Sequence, residues 1–207
     1  VIDDEPAPMA TGAEPASAER ETQRLEAFSD GVMAVIITIM AFELHTPLRA
    51  SVHALGKRLP ALLIYLLSFT FIGIYWNNHH HLLRAARRVS AAVMWGNLHL
   101  LFWLSLIPVC TEWIGEDYRH SLPAAAYGVV CFGSAVAFSL LVVAIVRTDG
   151  RDSVVARAIG SNLKGRVSLL LYAVGVALAA LSPYASYAVY AVVALIWFIP
   201  DRRLERR

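Results

Sequence analysis

The chain has 207 residues, of which 57% are apolar and only 16% charged, with a mean hydropathy of +0.55. An average globular protein carries about 25% charged residues. About 118 apolar residues match what six bilayer spans need at about 20 residues each. This composition excludes a disordered chain, a solvated nucleic-acid-binding domain and an ordinary soluble enzyme. A formal charge of +2 is too small to indicate a polyanionic partner, so no nucleic acid is expected.

Residues 1–19 are acidic, rich in Ala and Pro and without an apolar period, and are expected to be disordered. No basic region followed by an apolar core marks them as a cleaved leader. Six apolar stretches follow, at 28–46, 59–79, 91–114, 121–146, 166–182 and 184–200. They predict an all-α polytopic membrane protein with six transmembrane helices in one domain, 20–201, followed by a short basic tail, 202–207. The last two spans are joined only by the turn around Pro183, which fits a tight helical hairpin.

Lys and Arg set the orientation. If both termini share one side, that side holds Arg20, Arg24, Arg84, Arg87, Arg88, Arg147, Arg151, Arg157, Lys164, Arg166 and the four arginines after residue 201. Only Arg49, Lys57, Arg58 and Arg119 lie opposite. The bias predicts cytoplasmic termini and an even number of spans. Cys110 and Cys131 lie in apolar runs and are expected to pack as buried thiols. No internal repeat is visible. Gly133 with Ala137, and Gly175 with Ala179, recur at the spacing of close helix contacts.

An ionisable group in a spanning helix costs roughly 2.5–3.5 kcal/mol near the membrane centre on insertion scales, so each needs a partner. Here they gather at three places. Span 1 starts Arg24-Leu-Glu-Ala-Phe28-Ser29-Asp30, span 2 ends Tyr75-Trp76-Asn77-Asn78-His79-His80-His81, and span 3 carries Trp95, Asn97 and His99 near its start. All three lie at the cytoplasmic third, where Arg24, Ser29, Asp30, His79, His80 and Asn97 are expected to satisfy one another in a buried network. Adjacent histidines on a helix point about 100° apart, so His79, His80 and His81 are not expected to share a metal ion. No metal, cofactor or catalytic residue is expected: Ser29 has no base beside it, and no nucleotide-binding loop occurs.

Span 1 also carries a stripe at helical spacing: Gly31, Val35, Thr38/Ile39, Phe42, His45/Thr46. It is apolar in the middle, with one hydroxyl, and turns polar only at its outer end. Asp30 lies about 140° round the helix from Val35 and faces away from it. Periodicity alone leaves two readings open. The stripe is either ordinary lipid or core surface, or the wall of a constriction that gates by dewetting.

The run Arg24-x-x-x-Phe28-Ser29-Asp30 resembles the signature of the transmembrane protein 175 family of potassium channels, known from lysosomes and bacteria. The similarity extends to Trp76-x-Asn78-His79-His80 and to Asn97-Leu98, Phe102 and Leu106-x-Pro108, and so covers about the first 110 residues; the later half agrees only in length and span count. The resemblance implies a homotetramer of six-span chains in the plasma membrane, passing monovalent cations passively. Potassium would be weakly preferred over sodium, with helix 1 of four subunits lining the pore and no P-loop selectivity filter. It implies a constriction at Val35, potassium preference at Thr38, and Ile39 and Phe42 at the next pore turns, with Glu43 or His45 near the external mouth. Arg24, Phe28, Ser29, Asp30, Trp76, Asn78, His79, His80 and Asn97 would form the supporting network. Val35 is shorter, and Phe42 bulkier, than the family's usual residues, which leaves either as the tightest layer. The rival readings are a proton-conducting or proton-coupled carrier relaying through Asp30 and His79/His80, and a non-transporting membrane scaffold.

Overall fold

The computed structural model describes residues 13–45, 51–159 and 163–198, and no strand occurs among them. The chain forms α1 (Ala13–Phe42), α2 (Val52–Ala85), α3 (Ala91–Ser105), α4 (Ile107–Asp117), α5 (Ser121–Asp149), the short α6 (Val154–Ile159), α7 (Leu163–Ala179) and α8 (Pro183–Phe198). Four segments are long and apolar enough to cross a bilayer: Ser17–Phe42, Val52–Ala85, Ala91–Asp117 and Ser121–Asp149. Pro183–Phe198 is a shorter apolar helix. Helix α1 begins at Ala13, inside the segment 1–19 expected to be disordered. Residues 13–27 hold many good helix formers (Ala, Glu, Arg, Gln, Leu), and these continue span 1 backwards as one rod. Residues 1–12 and the tail 202–207 lie outside the described residues, as do Thr46 and Arg49.

Local chemistry sets the boundaries. Ser51 and Ser90 cap α2 and α3, accepting hydrogen bonds from the backbone N–H of Ala54 (3.2 Å) and Val93 (3.3 Å). Gly150 stops α5 with φ of 95°, a conformation that glycine adopts without steric cost. Ser182 accepts from Ala185 N–H at 3.4 Å, and Pro183 opens α8 where its missing N–H costs nothing. The third predicted span is stepped: Pro108 has no N–H to offer the carbonyl four residues back, and α3 gives way to α4 at Leu106.

Helix α5 is the hub, packing against α3, α4, α7 and α8, while α1 lies against α2, α3 and α4. The small residues that the sequence marks as contact points meet aromatic rings rather than bare helix backbone. A Cβ on Gly133 would fall 2.4 Å from the Trp103 ring, and one on Gly175 only 2.3 Å from Tyr190. Tyr190 lies between Tyr127 and Tyr172 and donates to the Ala124 carbonyl at 3.1 Å, tying α8 to α5. Cys110 and Cys131 are buried free thiols, as the sequence implies.

Candidate functional site

The polar clusters of α1, α2 and α3 do meet, because the middle of α1, the end of α2 and the start of α3 pack at one level. They form two groups rather than one. The inner group is fully buried: Ser29, His79 and Asn97 have no accessible surface. The Ser29 hydroxyl donates to the Leu25 carbonyl one turn back (2.8 Å) and accepts from Asn97 Nδ2 (2.9 Å). His79 Nε2–H donates to Asn97 Oδ1 at 2.7 Å. One amide on α3 thereby joins α1 to α2.

In the outer group Glu26, Asp30 and His80 are half-buried, and Trp76 and Arg84 are exposed. Trp76 Nε1–H donates to Asp30 Oδ1 at 3.0 Å. The Trp76 ring stacks on His80, with centroids 5.8 Å apart. His80 Nδ1 stands 2.6 Å from Glu26 Oε1, and Arg84 Nε is 3.9 Å from the same oxygen. One ligand-capable atom from each of Glu26, Asp30 and His80 lies within 4.8 Å of the other two. Glu26 was not expected in this set. Its signal is spacing: Glu26 and Asp30 are four apart on α1, and Trp76, His80 and Arg84 are four apart on α2, so two helix faces meet as rows.

Three expected members stand elsewhere. Arg24 is exposed, and no contact ties it to either group among the described residues. Its position six residues before Asp30 turns it about 120° away from the α2-facing row. Asn78 spends its amide on the Ile74 carbonyl of its own helix, at 2.7 Å. Phe28 is 53% exposed and extends the stripe one repeat before Val35.

That stripe is the uncovered side of α1. Val35, Ile39 and Phe42 are 55, 44 and 85% exposed, and Thr38 is exposed as well, its hydroxyl donating to the Val35 carbonyl at 2.8 Å. The opposite side, Met33, Ile36 and Met40, is buried in the bundle. At the far end of α1, Glu43 is half-buried, and His45 Nδ1 contacts the Glu43 carbonyl at 2.9 Å. Both line a cavity of about 330 Å³ with Arg58, Tyr65, Glu112 and Glu116. The two α4 glutamates were not anticipated, since only the packing of α4 against α1 and α2 brings them to this end.

The model of the family described as endosomal/lysosomal potassium channel TMEM175 matches residues 24–108. A protein named potassium channel from Chryseobacterium sp. (strain P1-3) is 48% identical over 183 residues, 88% of this chain and 95% of that one. Another so named, from Streptomyces collinus, is 35% identical over 175 residues, 78% of this chain and 84% of the relative. Among solved structures, the crystal structure of a lysosomal potassium-selective channel TMEM175 homologue from Chamaesiphon minutus superposes with a TM-score of 0.77. It is 29% identical and covers 87% of this chain and 97% of its own.

Proposed function

The chain belongs to the TMEM175 potassium-channel family, and from that premise we propose that it is a passive, potassium-selective cation channel whose pore is lined by α1 of four subunits. The observation that carries this reading is the two-sided burial of α1. One side packs into the bundle, while the side bearing Val35, Thr38, Ile39 and Phe42 is left uncovered by the chain's own helices. Four such faces around an axis give a narrow apolar constriction that excludes water until it widens, with Thr38 as the only hydroxyl in it. The buried and half-buried polar groups hold α1 to α2 and α3 and stand off the proposed path of the permeant ion.

Six spans are part of the proposal. Helices α7 and α8, at 17 and 16 residues, reach about 25 Å, slightly less than a hydrocarbon core of about 30 Å. Packed on α5 as a hairpin, they complete an even number of crossings. The bias of Lys and Arg supports cytoplasmic termini in a bacterial plasma membrane. Glu43, with Glu112 and Glu116 beside it, then stands at the external side, where acidic groups concentrate cations. A proton relay through Asp30 and His79 is less well supported: His79 is committed to Asn97, Asp30 to Trp76, and neither is on the Val35 face.

Flux from purified protein in liposomes tests this. Potassium flux should exceed sodium flux under matched gradients, and Thr38→Ala should reduce that preference without changing the assembly. Equal flux of both ions, or flux driven by protons alone, refutes it.

A further inference from the structure

We propose that Glu26, Asp30 and His80 form a binding site for a divalent transition-metal ion of the zinc class, bridging α1 and α2 at the base of the bundle. Their ligand-capable atoms lie within 4.8 Å of one another, drawn from two helices. A zinc ion bound by imidazole nitrogen and carboxylate oxygen holds them at about 2.0–2.2 Å, so donors of one ion stand roughly 3–4 Å apart. The His80–Glu26 pair, at 2.6 Å, has to open slightly to admit an ion while the wider separations, within 4.8 Å, close, and all three residues are half-buried.

Charge supports the assignment. Glu26 and Asp30 are like charges one helical turn apart, an arrangement that is unfavourable on an isolated helix. Among the described residues, Glu26 has ion-pair contacts with the His80 imidazole and with Arg84, whose side chain is 69% exposed and whose guanidinium is 3.9 Å away. A dication with two carboxylates and a neutral imidazole makes a neutral set in this half-buried place. The imidazole also decides the class of ion, since magnesium and calcium take oxygen donors whereas zinc and its neighbours accept nitrogen. Trp76 already performs the task of an outer-shell partner: its N–H fixes one Asp30 oxygen, and its ring fixes the plane of His80. The donors come from different helices and include one histidine of the run. The divergence of neighbouring histidines on a helix therefore does not bear on this site.

The test uses the full chain, purified in detergent, with zinc chloride as the probe and magnesium chloride as competitor. Calorimetry should give one saturable zinc site per chain that excess magnesium does not displace. Glu26→Gln, Asp30→Asn and His80→Gln should each weaken it by about tenfold or more, since changes in outer-shell partners alone reach that size. His81→Gln should leave it unchanged. Gel filtration and circular dichroism of each variant without metal check folding. X-ray absorption of the zinc-loaded unmodified chain gives a readout that needs no variant: one imidazole among oxygen ligands. Absence of saturable zinc binding overturns the proposal, as does binding that survives Glu26→Gln and His80→Gln, or a spectrum with two or more imidazoles.

Discussion

Replacing Asn97 by leucine removes the one amide that joins three helices, at nearly constant volume. His79 Nε2–H then points into a region with no accessible surface and loses its 2.7 Å acceptor. A stranded buried donor costs about 1–3 kcal/mol. Ser29 suffers less, because it loses the 2.9 Å bond from Asn97 but keeps its own donation to Leu25. The expected loss is therefore about 2 kcal/mol, nearly all of it from His79. Inter-helical hydrogen bonds in membrane proteins average about 0.6 kcal/mol and reach about 1.7, which sets the floor of the estimate. The attribution to His79 is separately testable. Asn97→Leu/His79→Leu replaces both partners by apolar groups and should recover about 1 kcal/mol relative to the sum of the single changes. Ser29→Ala should cost less than Asn97→Leu. Equilibrium unfolding in mixed micelles, followed by circular dichroism, gives the three values. An Asn97→Leu variant within about 0.5 kcal/mol of the parent, or no coupling to His79, refutes the reasoning.

Two further outcomes are expected. Gly175→Ala should destabilise by about 1–3 kcal/mol in the same assay, because the new Cβ meets a Tyr190 ring held by two other tyrosines, and this outweighs the gain of about 1 kcal/mol in helix propensity; Gly73→Ala, with no atom within 4 Å of its Cβ, should not destabilise. Of the two layers proposed for the gate, Phe42→Ala should raise resting potassium leak more than Val35→Ala, since Phe42 is the larger side chain and is less covered by its own subunit, at 85% exposure against 55%. A larger rise from Val35→Ala would move the tightest layer there, and no change from either would refute the apolar gate.

What the sequence made legible follows from what is costly in a membrane. Polar groups inside spans need partners, so Ser29, His79 and Asn97 announced a contact between three helices that the fold bears out. The same rule did not divide the network, because which of two neighbouring residues turns inward depends on helix rotation, and Asp30 turned to Trp76 while Ser29 turned to Asn97. Arg24 was misplaced because it lies on an exposed side of α1, where a long cation reaches water without needing a partner. Gly133 and Gly175 revealed close approach by spacing alone. That Trp103 and Tyr190 are what approaches was hidden, since ring placement depends on packing distant in sequence. The step at Leu106 was written in Pro108, two residues later.

Residues away from the proposed pore still set its geometry. A helix turns about 100° per residue, so fixing one side chain fixes the direction of all the others. From Ser29, Thr38 lies about 180° away, Phe42 about 140° and Val35 about 120°. Holding Ser29 on Asn97 therefore turns the Val35–Phe42 face outward from the bundle, and the Trp76 bond to Asp30 fixes the same rotation from a second direction. Two contacts at different azimuths resist rotation of α1, where one would leave it free to swing about a single point. A rotation of 40° would bring Ile39 closer to the former direction of Val35 and carry Thr38 off the axis. The polar groups at the middle of α1 thus specify which side chains form the proposed constriction towards its C-terminal end.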